Sequence, residues 1–277
     1  LAKPLSDMII EARELSGLAG VKIRKVPCRI AKLEHPAPDV TVLHLRLPLN
    51  ENMRFVSGQH IEFILPGDVR RRFSIANKMN PEGVTALELH IRHVPDGLFT
   101  GKILPELKER ALMRFEGPLG SFALQTDTDK PIVLVASGTG FSPIKSISES
   151  AFDKGINKTR PMTLYWGGRT RQDLYMLELA QQWAAERENF SFVPVLSEPA
   201  PGDGWTGRTG FVHQAAMDDI ADMSGMEAYA CGAPLMVDAA RRDFTAQRKL
   251  PQDAFYADAF LSSVELGGAA TEAENER

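Results

Sequence analysis

The chain has 277 residues, 43% of them hydrophobic and 25% charged, with a formal net charge of −4. It is long enough for two domains with separate cores, and its negative charge argues against a general nucleic-acid binder. Cys28 and Cys231, its two cysteines, exclude a disulfide framework and predict a reducing, cytoplasmic setting, and no stretch is long and apolar enough to predict a membrane span or a signal peptide.

Residues 1–24 have the composition of a linker that follows an upstream domain. Ser6 and Asp7 would cap a short helix over Met8–Leu15. From Lys25 onward, short apolar segments between Pro, Gly and Asn residues predict strands. These predicted strands are Cys28–Leu33, Val40–Leu47, His60–Leu65, Arg72–Ala76, Ala86–Arg92 and Leu112–Glu116, with a helix near Gly101–Leu107. Strands at this spacing predict a small antiparallel β-barrel domain over residues 25–126.

After residue 126 the pattern changes to alternating strands and helices. The predicted strands are Ile132–Ala136, Met162–Trp166, Phe190–Pro194 and Ala228–Ala230. The predicted helices are Ile144–Phe152, Met176–Glu186, Phe211–Met217 and Leu235–Arg248. This alternation predicts a doubly wound parallel sheet, and therefore an α/β domain, over residues 127–262. Residues 263–277 are small and polar, which predicts a disordered tail.

The segment Pro131–Lys145 combines a buried strand, a glycine turn and the start of a helix. Ser137-Gly-Thr-Gly would turn the chain after the strand, and Pro143 fits the first turn of a helix. Backbone N–H groups and the helix dipole at such a junction can hold a pyrophosphate. Pro143 stands where the full Gly-x-Gly-x-x-Gly fingerprint has its third glycine, so an ordinary strand–turn–helix connection is the alternative.

A second segment, Arg70-Arg-Arg-Phe-Ser-Ile-Ala-Asn77, places three arginines on a predicted barrel strand. They would form an anion clamp for a diphosphate, with Ser74 offering a hydroxyl beside an apolar wall. The alternative is a solvated edge strand that its charges protect from pairing with another chain.

Five motifs occur in the order that they have in the ferredoxin–NADP reductase family, which the chain resembles from Val26 to Phe260. The motifs are Arg71-x-Phe-Ser74, Gly97-Leu-Phe-Thr100, Gly117-Pro-Leu-Gly-Ser-Phe122, Ser137-Gly-Thr-Gly-Phe-Ser-Pro143 and Cys231-Gly-Ala-Pro-Leu-Met236. Around Leu89–His93 and Phe255–Phe260 the sequence is most similar to those of the reductases that act in multicomponent oxygenases and on CDP-6-deoxy-glucoseen intermediates.

The resemblance implies FAD on the barrel, a nicotinamide nucleotide on the α/β domain, and hydride transfer from nicotinamide C4 to flavin N5 between them. It implies that Ser74, Cys231 and Asp258 are catalytic. It assigns to FAD the residues Arg71, Phe73, Ser74, Ile75, His90, Ile91, Arg92, Gly97, Leu98, Phe99, Thr100, Gly117, Gly120 and Phe260. It assigns to NAD(P)H the residues Gly138, Thr139, Gly140, Pro143, Arg169, Cys231, Gly232 and Pro234.

Three of these assignments have structural alternatives. Cys231, expected just past a strand end, could be only a small buried hydrophobic residue. Asp258 would tune the charge around the flavin or relay a proton, unless it is a plain surface aspartate. Phe260 would stack on the flavin, unless it is a core aromatic residue.

Two departures from the family pattern concern the cofactors. Phe73 replaces the usual tyrosine, so its ring can stack on the flavin but cannot hydrogen-bond the ribityl chain. No acidic residue ends the strand Met162–Trp166, where an NAD site usually holds the ribose hydroxyls, and Arg169 and Arg171 stand there instead. Cations suit the 2′-phosphate of NADPH, whereas the most similar relatives commonly use NADH, which is the donor we expect.

The predicted function is an FAD-dependent NAD(P)H oxidoreductase that delivers single electrons to an iron–sulfur centre or to a partner oxygenase or dehydrase. The alternatives are a stand-alone reductase of free flavin, ferric iron or a haem protein, and a nucleotide-binding subunit without turnover. The resemblance places a [2Fe–2S] cluster in a presumed upstream domain, because two cysteines cannot hold one in this chain. No metal site is predicted: His90 and His93 would face opposite sides of a strand.

Overall fold

The computed structural model describes residues 21–260. The predicted helix over Met8–Leu15 and the predicted tail from residue 263 lie outside these residues. None of the helices between residues 21 and 260 is long and apolar enough to cross a membrane.

The first half of the described chain forms a six-stranded antiparallel sheet in the order β4-β3-β6-β1-β2-β5. Its strands are β1 (Arg24–Ala37), β2 (Val40–Arg46), β3 (His60–Ile64), β4 (Arg70–Ser74), β5 (Ala86–Arg92) and β6 (Leu112–Leu119). The two edge strands meet where Ile75 pairs with Leu89 and the Ala76 N–H donates to the Glu88 carbonyl at 2.8 Å. This contact closes the sheet into the predicted barrel.

Two local details of the barrel differ from the prediction. The helix expected near Gly101–Leu107 is instead a pair of short helical turns, Leu98–Ile103 and Leu104–Glu106, because Pro105 cannot donate the next helical hydrogen bond. His93 lies beyond the end of β5, where its Nε2 contacts the Thr41 hydroxyl at 2.7 Å.

The second half forms a six-stranded parallel sheet in the order β10-β9-β8-β7-β11-β12. Its strands are β7 (Ile132–Ser137), β8 (Met162–Gly168), β9 (Phe190–Leu196), β10 (Arg208–Thr209), β11 (Glu227–Gly232) and β12 (Phe255–Ala259). Its helices are α1 (Phe141–Asp153), α2 (Ile156–Thr159), α3 (Leu177–Glu186), α4 (Val212–Asp219) and α5 (Pro234–Arg248). Separate apolar clusters cover its two faces, so the sheet is doubly wound as predicted.

The strand order reverses between β7 and β11. From β7 the chain continues outward through β8 to β9, whereas β11 lies on the other side of β7 and leads to β12. The carboxyl ends of β7 and β11 therefore form the topological switch point, where open parallel sheets bind ligands. The glycine turn 137–140 and Cys231–Gly232 lie at this point.

Candidate active site

The switch point of the parallel sheet faces the barrel, because helix α1 docks on the segment Ser74–Asn77, which comprises the end of β4 and the residues after it. Three buried polar side chains of α1 donate to backbone carbonyls of this segment. The bonds join Ser142 Oγ to Ser74 at 3.2 Å, Lys145 Nζ to Ala76 at 3.4 Å and Ser146 Oγ to Asn77 at 2.8 Å. The two segments that the sequence singles out are therefore in direct contact.

The three arginines of β4 have different surroundings. Arg70 forms an ion pair with Glu116 of β6, which lies two strands away in the sheet. Arg72 reaches across to the second domain and pairs with Asp258. Arg71 donates only to the Arg70 carbonyl, at 2.7 Å, and has no ion pair within residues 21–260. Arg71 is therefore the arginine of the three whose charge remains available for an anion.

Two buried oxygens between the domains have no hydrogen-bond partner in the described part of the chain. Ser74 is 4% exposed and its Oγ is unpaired, and Asp258 is 5% exposed with Oδ2 unpaired. Burial raises the pKa of Asp258, although the Arg72 guanidinium opposes this shift. Unpaired buried polar groups are costly, so both oxygens are available to hydrogen-bond a bound ligand. A donor hydroxyl, a carboxyl group and a nearby guanidinium fit the polar edge of a flavin.

Cys231 does not lie past a strand end, as the sequence predicts, but within β11. The strand continues to Gly232 because Cys231 pairs with Ala136 of β7 and with Asp258 of β12. The thiol is fully buried, and this burial raises its pKa well above the usual range. Cys231 is therefore a neutral thiol at the switch point. A neutral thiol fits an uncharged contact with the predicted nicotinamide nucleotide and excludes a thiolate nucleophile.

The glycines of the predicted nicotinamide site allow β7 and β11 to end in close contact. A Cβ atom on Gly140 would lie 2.1 Å from the Cys231 carbonyl oxygen. Gly232 has a φ of +139°, and a Cβ there would lie 2.2 Å from Ser137 Oγ. These turns bring the predicted nucleotide-binding residues together: Gly138, the buried Thr139, Gly140, Pro143 in the first turn of α1, and Pro234 at the start of α5.

Aromatic packing holds the turn that begins after Gly97 against β4. The ring centroid of Phe73 lies 4.9 Å from that of Phe99 and 5.8 Å from that of Phe63. Leu98 also packs against the barrel core, and Thr100 Oγ1 donates to the Val94 carbonyl at 2.9 Å. The turn that begins after Gly97 thus lies beside the Arg71–Ser74 strand, as an anion clamp requires.

The remaining predicted FAD residues lie directly after β4, along β5 and at the end of β6. The side chains of Ile75 and Ile91 point into the barrel core, so they could meet a flavin only through the backbone. A Cβ on Gly117 would lie 2.9 Å from Ile61, and one on Gly120 would lie 2.7 Å from His60 Nδ1. Both glycines therefore permit close packing at the end of the barrel.

His90 connects the two domains. Its Nδ1 lies 2.7 Å from the hydroxyl of Tyr175, and its Nε2 lies 2.7 Å from the Glu88 carboxylate. Complete burial lowers the pKa of His90, so the ring is held neutral.

The N–H of Phe260 donates to the Gly232 carbonyl at 2.9 Å, and its ring packs on the core of the second domain.

Sequence reasoning missed one acidic residue beside Arg169. Strand β8 extends to Gly168, so Arg169 follows its carboxyl end directly. The backbone N–H of Glu198, which follows β9, donates to the Arg169 carbonyl at 2.8 Å, and both side chains are exposed. Glu198 is therefore a backbone neighbour of Arg169, although it follows a different strand. Only the sheet register reveals this proximity.

Within residues 21–260, no group of three or more His, Cys, Asp or Glu side chains is arranged to hold a metal ion.

Comparison with known proteins assigns both domains. Residues 27–124 match the oxidoreductase FAD-binding domain family, and residues 134–242 match the oxidoreductase NAD-binding domain family. Over 264 residues the chain is 39% identical to the CDP-6-deoxy-L-threo-D-glycero-4-hexulose-3-dehydrase reductase of Yersinia pseudotuberculosis, covering 95% of this chain and 77% of that protein. The chain belongs to the ferredoxin-reductase-like family of FAD- and NAD-dependent oxidoreductases.

Two further relatives agree with this assignment. The reductase is 34% identical over 258 residues to the reductase component of phenol 2-monooxygenase from a Pseudomonas species, covering 92% of this chain and 71% of that protein. The cytochrome P450 reductase GcoB of Amycolatopsis has a TM-score of 0.79 and 31% identity, over 88% of this chain and 72% of that chain. The predicted family, fold class, enzyme class and pair of cofactors are confirmed: the reductase passes electrons from a nicotinamide nucleotide to FAD.

Proposed function

We propose that the reductase accepts a hydride from NADH between its two domains and delivers single electrons to an iron–sulfur centre or to a partner oxygenase or dehydrase component. The observation that carries the proposal is a pair of buried oxygens at the domain interface, Ser74 Oγ and Asp258 Oδ2, which have no hydrogen-bond partner within residues 21–260. FAD, when bound, takes up the two electrons of a hydride and releases them one at a time. The printed names of the relatives, a dehydrase reductase and an oxygenase reductase component, support this partner class.

The barrel, residues 25–126, would hold FAD, and residues 127–262 would hold NADH. Arg71 would bind the diphosphate, because its guanidinium is not used by a carboxylate within the described residues. Ser74 Oγ would donate to the flavin nitrogen that receives the hydride. The neutral Cys231 thiol would border the path of the hydride without adding a charge to it.

Asp258 would exchange a proton with the flavin through Oδ2. Its other oxygen, Oδ1, is held by Arg72 of the barrel, which fixes the orientation of the carboxyl group. Because burial raises the pKa of Asp258, the protonated form is populated at higher pH than for an exposed aspartate. A carboxyl group with these properties suits a proton relay.

The electron donor would be NADH, because Glu198 stands next to Arg169 at the edge of the sheet. A carboxylate accepts hydrogen bonds from the ribose hydroxyls of NADH, whereas it repels the 2′-phosphate of NADPH. Arg169 and Arg171 favour NADPH on charge alone. The one acid and the two bases therefore favour different coenzymes, and variants can separate their effects.

Glu198→Gln is expected to raise kcat/KM for NADPH relative to NADH at least about fivefold, because removing a like-charge contact is worth on the order of 1 kcal/mol. Arg169→Ala is the matched variant on the neighbouring residue, and it should change the preference toward NADH. Steady-state kinetics with both nucleotides measure the ratio. If the ratio of kcat/KM for NADPH to that for NADH is unchanged in Glu198→Gln, Glu198 does not select the coenzyme. An unchanged ratio in Arg169→Ala would show the same for Arg169.

A comparison of electron acceptors tests the proposed partner class. The reductase, loaded with FAD and given NADH, should reduce ferricyanide rapidly, since a small acceptor needs no docking surface. Residues 1–277 hold two cysteines, too few for a cluster, so when tested alone they should pass electrons to a large oxygenase or dehydrase component only when a separate [2Fe–2S] ferredoxin is added. Saturable turnover of free flavin or ferric citrate, with no gain from the ferredoxin, would instead establish a stand-alone reductase.

We also infer a cytoplasmic location. Cys28 and Cys231 are both free and buried in the described structure, which is usual for proteins of a reducing compartment.

A further inference from the structure

Arg92, at the end of β5, belongs to the barrel but reaches the nucleotide domain. Its Nη1 donates to Asp39 of the β1–β2 turn at 2.8 Å and to Asp173 of the second domain at 2.6 Å. Nη2 of the same guanidinium is buried without a partner in the described residues, and a Cβ on Gly138 would lie 3.3 Å from it. One side chain thus bonds to the barrel and to the turn near β8, and its Nη2 lies beside the predicted nicotinamide turn.

Asp173 organises the turn that follows β8. Its Oδ2 accepts hydrogen bonds from the backbone N–H groups of Arg169 at 3.0 Å and Thr170 at 2.8 Å, and from Thr170 Oγ1 at 3.3 Å. Its Oδ1 accepts the bond from Arg92. Burial raises the pKa of Asp173, but the Thr170 N–H and the Arg92 guanidinium outweigh it and hold the pKa below its usual range. The carboxylate is therefore charged and fully engaged.

The turn leaves little freedom around this carboxylate. A Cβ on Gly168 would lie 2.5 Å from Asp173 Cβ, so only glycine fits at the end of β8. Arg169, whose N–H is bound to Asp173, is the exposed residue at the edge where the coenzyme ribose would bind. Asp173 itself is buried, with its side chain 11% exposed, so it acts on this edge through the backbone of the turn.

We propose that Arg92 and Asp173 are positioning residues through which the FAD barrel fixes the turn 168–170 that receives the adenosine half of the nicotinamide coenzyme. This inference rests on the proposed coenzyme site at the end of β8. It means that coenzyme affinity depends on the docking of the two domains, because the guanidinium that holds the turn in place comes from the other domain. Without it, the coenzyme must order the turn as it binds, and affinity falls.

The test uses Arg92→Gln and Asp173→Asn, with Asp39→Asn as the matched control, since Asp39 is the other carboxylate on Arg92 but lies within the barrel. The FAD-loaded reductase is titrated with NAD⁺ by calorimetry. We expect Kd for NAD⁺ to rise at least about fivefold in Arg92→Gln and Asp173→Asn. Asp39→Asn should bind NAD⁺ as the unmodified protein does.

Two further measurements separate positioning from a general loss of structure. Amide hydrogen exchange at Arg169 and Thr170 should accelerate in both variants, while exchange in the barrel strands stays unchanged. In Asp173→Asn the KM for NADH should rise more than the limiting rate of flavin reduction falls. The double variant should bind NAD⁺ no more weakly than the weaker-binding single variant, because both substitutions break the same contact between Arg92 and Asp173. If Asp173→Asn does not fold, Arg92→Lys, which keeps the charge but not both bonds, should give a partial loss.

Normal NAD⁺ affinity and normal exchange in Asp173→Asn, together with loss of FAD from Arg92→Gln, would overturn the proposal and make Arg92 a flavin ligand. Strictly additive effects in the double variant would also overturn it. Failure of the unmodified, FAD-loaded protein to bind NAD⁺ would contradict the proposed function itself, and the two failures are therefore distinguishable.

Discussion

Ser74→Ala is expected to slow reduction of the bound flavin by NADH about a hundredfold, the usual cost of one positioned hydrogen-bond donor at a reacting atom. The hydroxyl is buried and has no partner in the described structure, so its hydrogen bond would be formed only with the flavin. For the same reason, the substitution should leave the free energy of unfolding of the FAD-free protein nearly unchanged, because no hydrogen bond within the protein is lost. Stopped-flow absorbance of the flavin measures the rate.

Ser148→Ala is the matched control for this variant. Ser148 lies in α1, and its hydroxyl is also fully buried without a partner in the described residues, but no cofactor contact is predicted there. Its flavin should be reduced at the rate of the unmodified protein. Equal rates in Ser74→Ala and Ser148→Ala would show that Ser74 takes no part in hydride transfer.

Arg71→Ala is expected to raise Kd for FAD at least about tenfold, since hydrogen bonds to a charged group are worth roughly 1.5–3 kcal/mol. The guanidinium of Arg71 forms no ion pair within residues 21–260, so its whole charge can serve the diphosphate. Titration of the FAD-free protein with FAD, followed by quenching of the flavin fluorescence, gives Kd directly.

Arg70→Ala provides the comparison on the same strand. Arg70 is paired with Glu116 and Asp68, so its charge is already neutralised within the barrel. This variant should bind FAD within about twofold of the unmodified protein, as substitutions away from a binding site usually do. If instead Arg70→Ala weakens FAD binding and Arg71→Ala does not, Arg70 forms the clamp and our assignment of Arg71 is wrong.

The sequence predicted which segments meet but not how their side chains divide the work. The resemblance to the reductase family implies that the nicotinamide site, at the glycine turn after Ile132–Ala136, meets the FAD site of the arginine strand, because hydride passes between the two sites. The different partners of Arg70, Arg71 and Arg72 could not be predicted. Glu116 and Asp258, which pair with two of them, come from a distant strand and from the other domain.

Register was the second property that the sequence left undetermined. The sequence predicts a strand that ends at Ala230, before Cys231, whereas pairing with Ala136 and Asp258 on both sides extends β11 to Gly232. Glu198 was missed because it follows a different strand from Arg169, and only the parallel pairing of β8 with β9 makes them neighbours. Contacts between distant segments depend on register, which local patterns do not encode.

Anaerobic titration of the FAD-loaded reductase with NADH tests the central claim most directly. If hydride passes between the two domains as proposed, the visible absorbance of the flavin bleaches in proportion to added NADH, with an end point at one NADH per bound FAD. A protein that binds no FAD, or whose bound FAD keeps its full absorbance after excess NADH and NADPH, would contradict this account.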